Sequence, residues 1–201
     1  MITFKEFLSE SKELAGLTIW DIDETLFRTS ARVNIMKDGK VVKRLGNKQY
    51  NTYHLQPGES FDFSEFKNAR HFRDTSEPIV RAIRKLIAIH KNVKAKGSKM
   101  IIVTARSDFD DRDVFLDTFR SQGIDIDDIY VHRAGNLGTM PSAQAKRIVI
   151  KQYLDTGKYG RARLFDDAIS NLNMFKMLKH DYPDISFEAY LAHEDGRMTR
   201  M

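Results

Sequence analysis

The chain has 201 residues, 41% of them hydrophobic and 30% charged, which supplies apolar material for a buried core and charge for a soluble surface. It carries no cysteine, which excludes disulfides and thiolate metal sites, and no apolar run near the ~20 residues that a membrane span needs. The net charge of +5 and pI of 9.3 come from dispersed basic residues and favour anionic partners, phosphate esters and nucleic acids among them.

The opening Met1-Ile2-Thr3-Phe4-Lys5-Glu6-Phe7-Leu8 lacks the unbroken apolar core of a secretion signal, so a cytoplasmic protein with no membrane contact is expected. Residues 3–15 read as a short helix: Thr3 and Glu6 have capping-box spacing, Phe4, Phe7 and Leu8 share a face, and Gly16 stops it. Residues 17–22 then form a buried strand. Residues 33–45 read as a hairpin turning at Asp38-Gly39, a pair that suits tight turns between β-type runs. The stretch 46–75 is irregular and rich in aromatics. From Ser76 the pattern is regular. A helix opens at Ser76-Glu77-Pro78 and ends at Gly97, with Ile79, Val80, Ile83, Leu86 and Ile87 on its apolar face. Strands at 99–104, 127–132, 161–166 and 185–191 alternate with helices at 109–122, 141–155 and 168–180. That alternation predicts an α/β fold over 1–201, a doubly wound parallel sheet with helices on both faces, in one domain with a small flap inserted at about 28–75.

Open α/β sheets bind ligands beyond the carboxyl ends of their strands. The first such end carries Asp21 and Asp23, with Thr25 two positions on. Residues i and i+2 of a strand share a face, so both carboxylates point into one small volume. Two like charges so close need a cation, or one keeps its proton. The second strand ends in Thr104, followed by Ala105 and Arg106, and the fourth in Asp166 and Asp167; Lys146 lies on the helix before the fourth strand. Each alone has a plainer reading, as a solvated turn, a strand end, a surface lysine or a helix cap. Together they bring carboxylates for a hard cation, and a hydroxyl and an ammonium for an anion, to one edge of the sheet.

This set resembles the haloacid dehalogenase-like (HAD) superfamily, whose commonest members are Mg²⁺-dependent phosphohydrolases with a Rossmann-like sheet. Its four motifs appear in order as Asp21-Ile22-Asp23-Glu24-Thr25, Thr104, Lys146 and Asp166-Asp167, with 83 positions from Asp21 to Thr104, 42 to Lys146 and 20 more to Asp166. The resemblance implies that Asp21 attacks phosphorus and forms an aspartyl-phosphate. It implies that Asp23 protonates the leaving oxygen and then activates water. Thr104 and the amides after Asp21 would bind phosphoryl oxygens, and Lys146 would neutralise the phosphate and orient Asp21. Mg²⁺ would be held by Asp21, the carbonyl of Asp23 and one of Asp166 and Asp167, with Asp167 favoured. An acid at position 23 favours phosphoryl chemistry over dehalogenation.

The segment between Thr104 and Lys146 is too short for a large cap, which leaves 28–75 as a small flap over an open site. Thr25, Arg28, Ala105, Arg106, Arg133 and His132 are expected near bound substrate, and Tyr50, Tyr53 and Phe61 either stack on a base or pack the flap. An open site suits a nucleotide or a nucleic-acid end, such as a 3′-phosphate. More loosely, the chain resembles the phosphatase half of phage polynucleotide kinase-phosphatases, and its first residues look like those of tailed-phage proteins; host cytoplasm would then be its location. The leading reading is a phosphomonoester hydrolase. Alternatives are a phosphomutase, a catalytically silent nucleic-acid-binding or structural relative, and a receiver-like phospho-acceptor. The last places its acidic pair after the first strand, unlike this chain.

Overall fold

The computed structural model describes residues 14–201 apart from 51, 96 and 139. Strand β1 spans Ala15–Trp20, so of the helix expected over 3–15 only Leu14 and Ala15 fall within the described residues, and Ala15 belongs to the strand. A two-residue strand β2, Phe27–Arg28, follows the first acidic turn. The insertion then holds β3 (Val33–Lys37), β4 (Lys40–Leu45), α1 (Asn47–Tyr50), β5 (Glu59–Asp62), α2 (Ser64–Lys67) and α3 (Ala69–Thr75). It closes with β6, Glu77–Pro78, which pairs antiparallel with β2. The remaining elements are α4 (Val80–Ala95), β7 (Lys99–Thr104), α5 (Arg112–Arg120), β8 (Tyr130–Arg133), α6 (Ser142–Leu154), β9 (Tyr159–Asp166), α7 (Ile169–Asp181), β10 (Ser186–Ala192) and β11 (Met198–Arg200).

The main sheet has the order β11-β10-β9-β1-β7-β8; the last five of these are parallel and β11 runs antiparallel on the edge. From β1 the chain winds outward through β7 and β8, then crosses back to β9 and β10. The switch point is therefore the end of β1, between β7 and β9, where a doubly wound sheet leaves a crevice. Trp20 pairs with Ile102 on one side and Phe165 on the other, so Asp21, Thr104 and Asp166 end at nearly the same level.

Period-two alternation divides β1 between two cores. Trp20 joins Ile102 and Phe165 on one face under Leu86 of α4 and Phe115 and Phe119 of α5. Leu17 and Ile19 join Ile101, Val103 and Leu164 on the other, under Val149 and Ile150 of α6 and Leu172 and Phe175 of α7. The insertion has a small core of its own, Val33, Ile35 and Leu45. Three aliphatic side chains at about 1.5–3 kcal/mol each hold little structure alone. The insertion is also tied down through α3, whose Ala69 and Phe72 are buried in the larger core, and through Asp110, which accepts from the Ala69 amide at 2.8 Å.

Several boundaries differ from expectation for identifiable reasons. The helix expected from Ser76 begins at Val80 because Glu77 and Pro78 pair with β2. The helix expected over 109–122 is trimmed to Arg112–Arg120, capped by Asp111, whose carboxylate accepts from the Val114 amide at 3.1 Å. A 3-10 turn at Ile126–Asp128 delays the third parallel strand to Tyr130. The hairpin turns at Asp38 and Gly39, both at positive φ (49° and 73°), the conformation that matches strand twist. Strands β5 and β11 were not expected; both are short and polar, and pairing alone defines them. No helix among the described residues is long and apolar enough to cross a membrane.

Candidate active site

β1 ends at Trp20, and the next amide, Asp21 N–H, still donates to the Phe165 carbonyl at 3.0 Å, which fixes Asp21 against β9. The chain then turns around the carbonyl of Ile22, which accepts from the amides of Thr25, Leu26 and Phe27. Glu24 takes a positive φ of 58° within this turn and its carboxylate accepts from the Thr29 amide at 3.1 Å. Asp21 and Asp23 thus project from a tight turn whose amides are locked from beneath.

Lys146, on α6, is fully buried, and its Nζ donates to Asp21 Oδ1 at 2.6 Å and to Asp166 Oδ2 at 2.7 Å. The small Ala145 beside it lets α6 lie close to the sheet. Asp166 is saturated: beyond Lys146 it accepts from the Asn171 side-chain amide at 2.9 and 3.0 Å and from the Ala168 amide at 2.9 Å. Among the described residues Asp167 has its own main-chain N–H as its hydrogen-bond partner. Asp21, Asp166 and Asp167 each present a carboxylate oxygen within 4.8 Å of the others.

Burial pushes the Asp21 carboxyl well above the usual carboxylate range; Lys146 opposes this, and Asp166, Asp167 and Asp23 add to it. Burial, then the neighbouring Asp166, pushes Asp167 up to about 7. Burial works against the Lys146 ammonium, but Asp166 and Asp21 outweigh it and hold the proton more firmly than in water. Four carboxylates, Asp21, Asp23, Asp166 and Asp167, face two buried cations, Lys146 and Arg106. The excess of carboxylates over cations and the all-oxygen donor set fit a hard divalent cation such as Mg²⁺.

Arg106 was expected on the rim and is instead buried. Its Nε donates to Asp23 Oδ2 at 2.9 Å and its Nη2 to Asp23 Oδ1 at 2.6 Å, a two-pronged grip on the second acid. Nη1 donates to the Phe66 carbonyl at 3.1 Å and Nη2 also to the Thr29 hydroxyl at 3.0 Å. The rings of Phe66, Phe72 and Phe109 surround the guanidinium at 5.1, 4.6 and 5.7 Å. Desolvated in this way and with four acceptor contacts, it is a structural partner of Asp23. The planar fork suits arginine and not lysine at this place.

Thr104 is fully buried at the end of β7, and its hydroxyl oxygen accepts from the Arg106 amide at 3.1 Å, which leaves its proton to donate. Ala105 is exposed beside it. The loop beyond is braced by Gly135, whose amide donates to the Arg106 carbonyl at 3.2 Å; a Cβ there would stand 2.3 Å from the Ala105 carbonyl oxygen. Thr25 is fully buried and its hydroxyl has no hydrogen-bond partner among the described residues.

Arg133, His132 and Arg28, expected near the rim, stand apart from the four acids. Arg133 ion-pairs with Asp108 at 2.7 Å on β8, on the far side of β1 from β9 and Asp167. His132 is half-buried against Tyr153, whose hydroxyl lies 2.6 Å from Nε2, because its strand position turns it towards α6. Arg28 leans away from the acids, donating to the Glu194 carbonyl at 2.7 Å. Tyr50, Tyr53 and Phe61 pack edge-to-face with one another in the core of the insertion.

A groove of about 940 Å³ opens from Asp167 and Glu24. The insertion walls it with Thr29, Arg32 and Gln49, and the turn after β10 with His193, Glu194 and Arg197. These outer residues carry no motif, and only the fold brings them to Asp167.

No protein-family model matches the chain, and no curated protein matches it in sequence. Among solved structures it is similar to the HAD domain of the effector protein Lem4 from Legionella pneumophila, with a TM-score of 0.52 at 12% identity over 88% of this chain and 85% of that one. At this identity the likeness establishes the fold. The chain has the Rossmann-like α/β architecture of a HAD domain.

Proposed function

We propose that the protein is a Mg²⁺-dependent phosphomonoester hydrolase working through an aspartyl-phosphate on Asp21. The observation that carries this reading is the asymmetry of Asp21: Lys146 holds Oδ1, and no described residue hydrogen-bonds to Oδ2, which is left to attack phosphorus. The Thr104 hydroxyl and the main-chain amides of Ile22 and Asp23, which bond to no described residue, would bind the phosphoryl oxygens. Asp23, two residues beyond the nucleophile, would protonate the leaving oxygen and then draw a proton from the attacking water. A Mg²⁺ ion held by Asp21, Asp167 and the main-chain carbonyl of Asp23 would offset the repulsion between the nucleophile and the phosphate dianion. The open groove and the basic chain support nucleotides or 3′-phosphorylated nucleic-acid ends as the substrate class, as in the polynucleotide phosphatases that the chain loosely resembles.

One observation favours a second reading. Both oxygens of Asp23 are engaged by Arg106, as in a protein that binds phosphate esters without turning them over. Phosphate release from nucleoside 3′- and 5′-phosphates, phosphorylated oligonucleotides, sugar phosphates and an aryl phosphate decides between the two. Release with Mg²⁺ that vanishes in Asp21→Asn is the expected result; no release from any ester would overturn the hydrolase reading.

A further inference from the structure

A second depression, of about 670 Å³, lies at the start of α4 and is lined by Arg28, Arg81, Arg84 and Asp195. Because α4 leads into the parallel strand β7, its first turn lies at the carboxyl edge of the sheet, the edge that carries Asp21. Asp195 lines both this depression and the catalytic groove, so the two adjoin at the turn between β10 and β11. That turn is seated firmly. Gly196, at φ 77°, lies so close to α4 that a Cβ would stand 2.8 Å from Arg81 Cβ, and Arg28 bonds the Glu194 carbonyl from the other side.

The two hollows have opposite electrostatics. The groove next to the nucleophile holds Glu24, Asp167, Glu194 and Asp195 against Arg32 and Arg197. The second hollow sets three guanidiniums against Asp195, which Arg197 already engages at 2.6 Å. Neither Arg81 nor Arg84 has an ion pair among the described residues, and Arg28 reaches Glu77 only at 3.5 Å across solvent. The groove that reaches Asp167 holds acceptors, and the cationic pocket adjoins it at Asp195. Acceptors suit sugar hydroxyls and base amines, and the guanidiniums of Arg81 and Arg84, with only Asp195 beside them in the hollow, suit a phosphate.

We propose that Arg28, Arg81 and Arg84 form a second phosphate site. It takes the 5′-side phosphate of a nucleotide whose 3′-phosphate sits at Asp21. This deepens the hydrolase reading and rests on it for the scissile phosphate. A nucleoside 3′,5′-bisphosphate and the 3′-phosphorylated end of an oligonucleotide share this pair of phosphates.

The test reads binding by calorimetry on Asp21→Asn protein with Mg²⁺, so that it needs no turnover. The probes are thymidine 3′,5′-bisphosphate, thymidine 3′-monophosphate and a 3′-phosphorylated oligothymidylate. The bisphosphate is expected to bind at least about tenfold more tightly than the monophosphate, and the added Arg81→Ala/Arg84→Ala pair should collapse that ratio towards one. Removing two positive charges elsewhere, with Lys40→Ala/Lys176→Ala, should leave the ratio intact. No preference in the parent, or a ratio that the arginine variants do not change, would overturn the proposal. An oligonucleotide that outbinds the bisphosphate with a steeper salt dependence marks a polynucleotide end as the source; equal affinity marks a small bisphosphate. Failure of the hydrolase reading would look different: binding with its arginine dependence intact, and no phosphate release by the wild type.

Discussion

Asp21 and Asp23 are two residues apart, yet opposite sides of the molecule hold them. Asp21 is held from the sheet side by Lys146, a compact ammonium that divides its donors between Asp21 and Asp166 and leaves one Asp21 oxygen open. Asp23 is held by Arg106, just beyond β7, whose fork takes both oxygens and is itself braced from the insertion side by Phe66 and Thr29. Both cations stand on the part of the chain with two large cores, Lys146 on α6 and Arg106 just beyond β7, but only Arg106 is also braced by the insertion, whose own core is three residues. On the proposed reading, a nucleophile needs one fixed oxygen and one free one, and the ammonium would provide this. An acid–base group at Asp23 would have to release a contact with Arg106 to act.

Removing the sheet grip should have the largest effect. Lys146→Ala strands the buried carboxylates of Asp21 and Asp166 and should cost about 3–5 kcal/mol of stability, read as a fall in denaturant midpoint. Retained stability would show that the lysine is not what holds the two acids. On the insertion side, Asp23→Asn should lower kcat about 10²–10⁴-fold with the fold intact. Arg106→Lys should cause a smaller loss of kcat with little change in KM, since a point charge replaces the fork. Equal kcat in Arg106→Lys would mean that the grip does not position the acid.

The acidic pair sharpens the contrast further. Asp166→Asn disturbs a saturated carboxylate and should destabilise the protein by about 1–3 kcal/mol. Asp167→Asn should raise the Mg²⁺ concentration needed for activity and should stabilise the metal-free protein. The sign follows from its pKa of about 7: the unfolded chain releases this proton near 3.8, so stability falls as pH rises from about 4 to 7, and the asparagine lacks that fall. A larger Mg²⁺ requirement in Asp166→Asn would reverse the assignment.

The smallest effect lies away from the site. Burial, then Arg133 and Lys99, depress His132 from 6.5 to about 4. Its neutral form therefore contributes stability that is complete above pH 6.5 and drains as pH falls to about 4. Since the ring is only half-buried, the contribution is on the order of 1–2 kcal/mol after solvent screening. His132→Gln should flatten the stability profile by that amount over this window relative to wild type; parallel profiles would show that another group carries the slope.

Much of the sheet was legible because buried parallel strands are written as short apolar runs between amphipathic helices, and Leu17 to Trp20 and Met100 to Val103 are such runs. The ends of elements were less so, since pairing between distant segments decided them, as when β2 drew Glu77 and Pro78 out of the following helix. The carboxylates at strand ends could be named because the strand period aims them. The role of Arg106 could not, because it depends on a box of rings from three separate segments, Phe66, Phe72 and Phe109. The groove walls from Arg32, Gln49 and His193 have no local pattern at all.

Gly135 lies 31 residues beyond Thr104 in sequence, in no motif, and its backbone conformation is one that any residue adopts. Yet no side chain fits there, since even a methyl would press on the carbonyl of Ala105 and on the main chain of Arg106. In a saturation scan for function it should behave like one of the acids proposed to be catalytic, intolerant of every replacement. A designer grafting this site onto another scaffold would have to carry that glycine along, although it contributes no chemical group to the reaction.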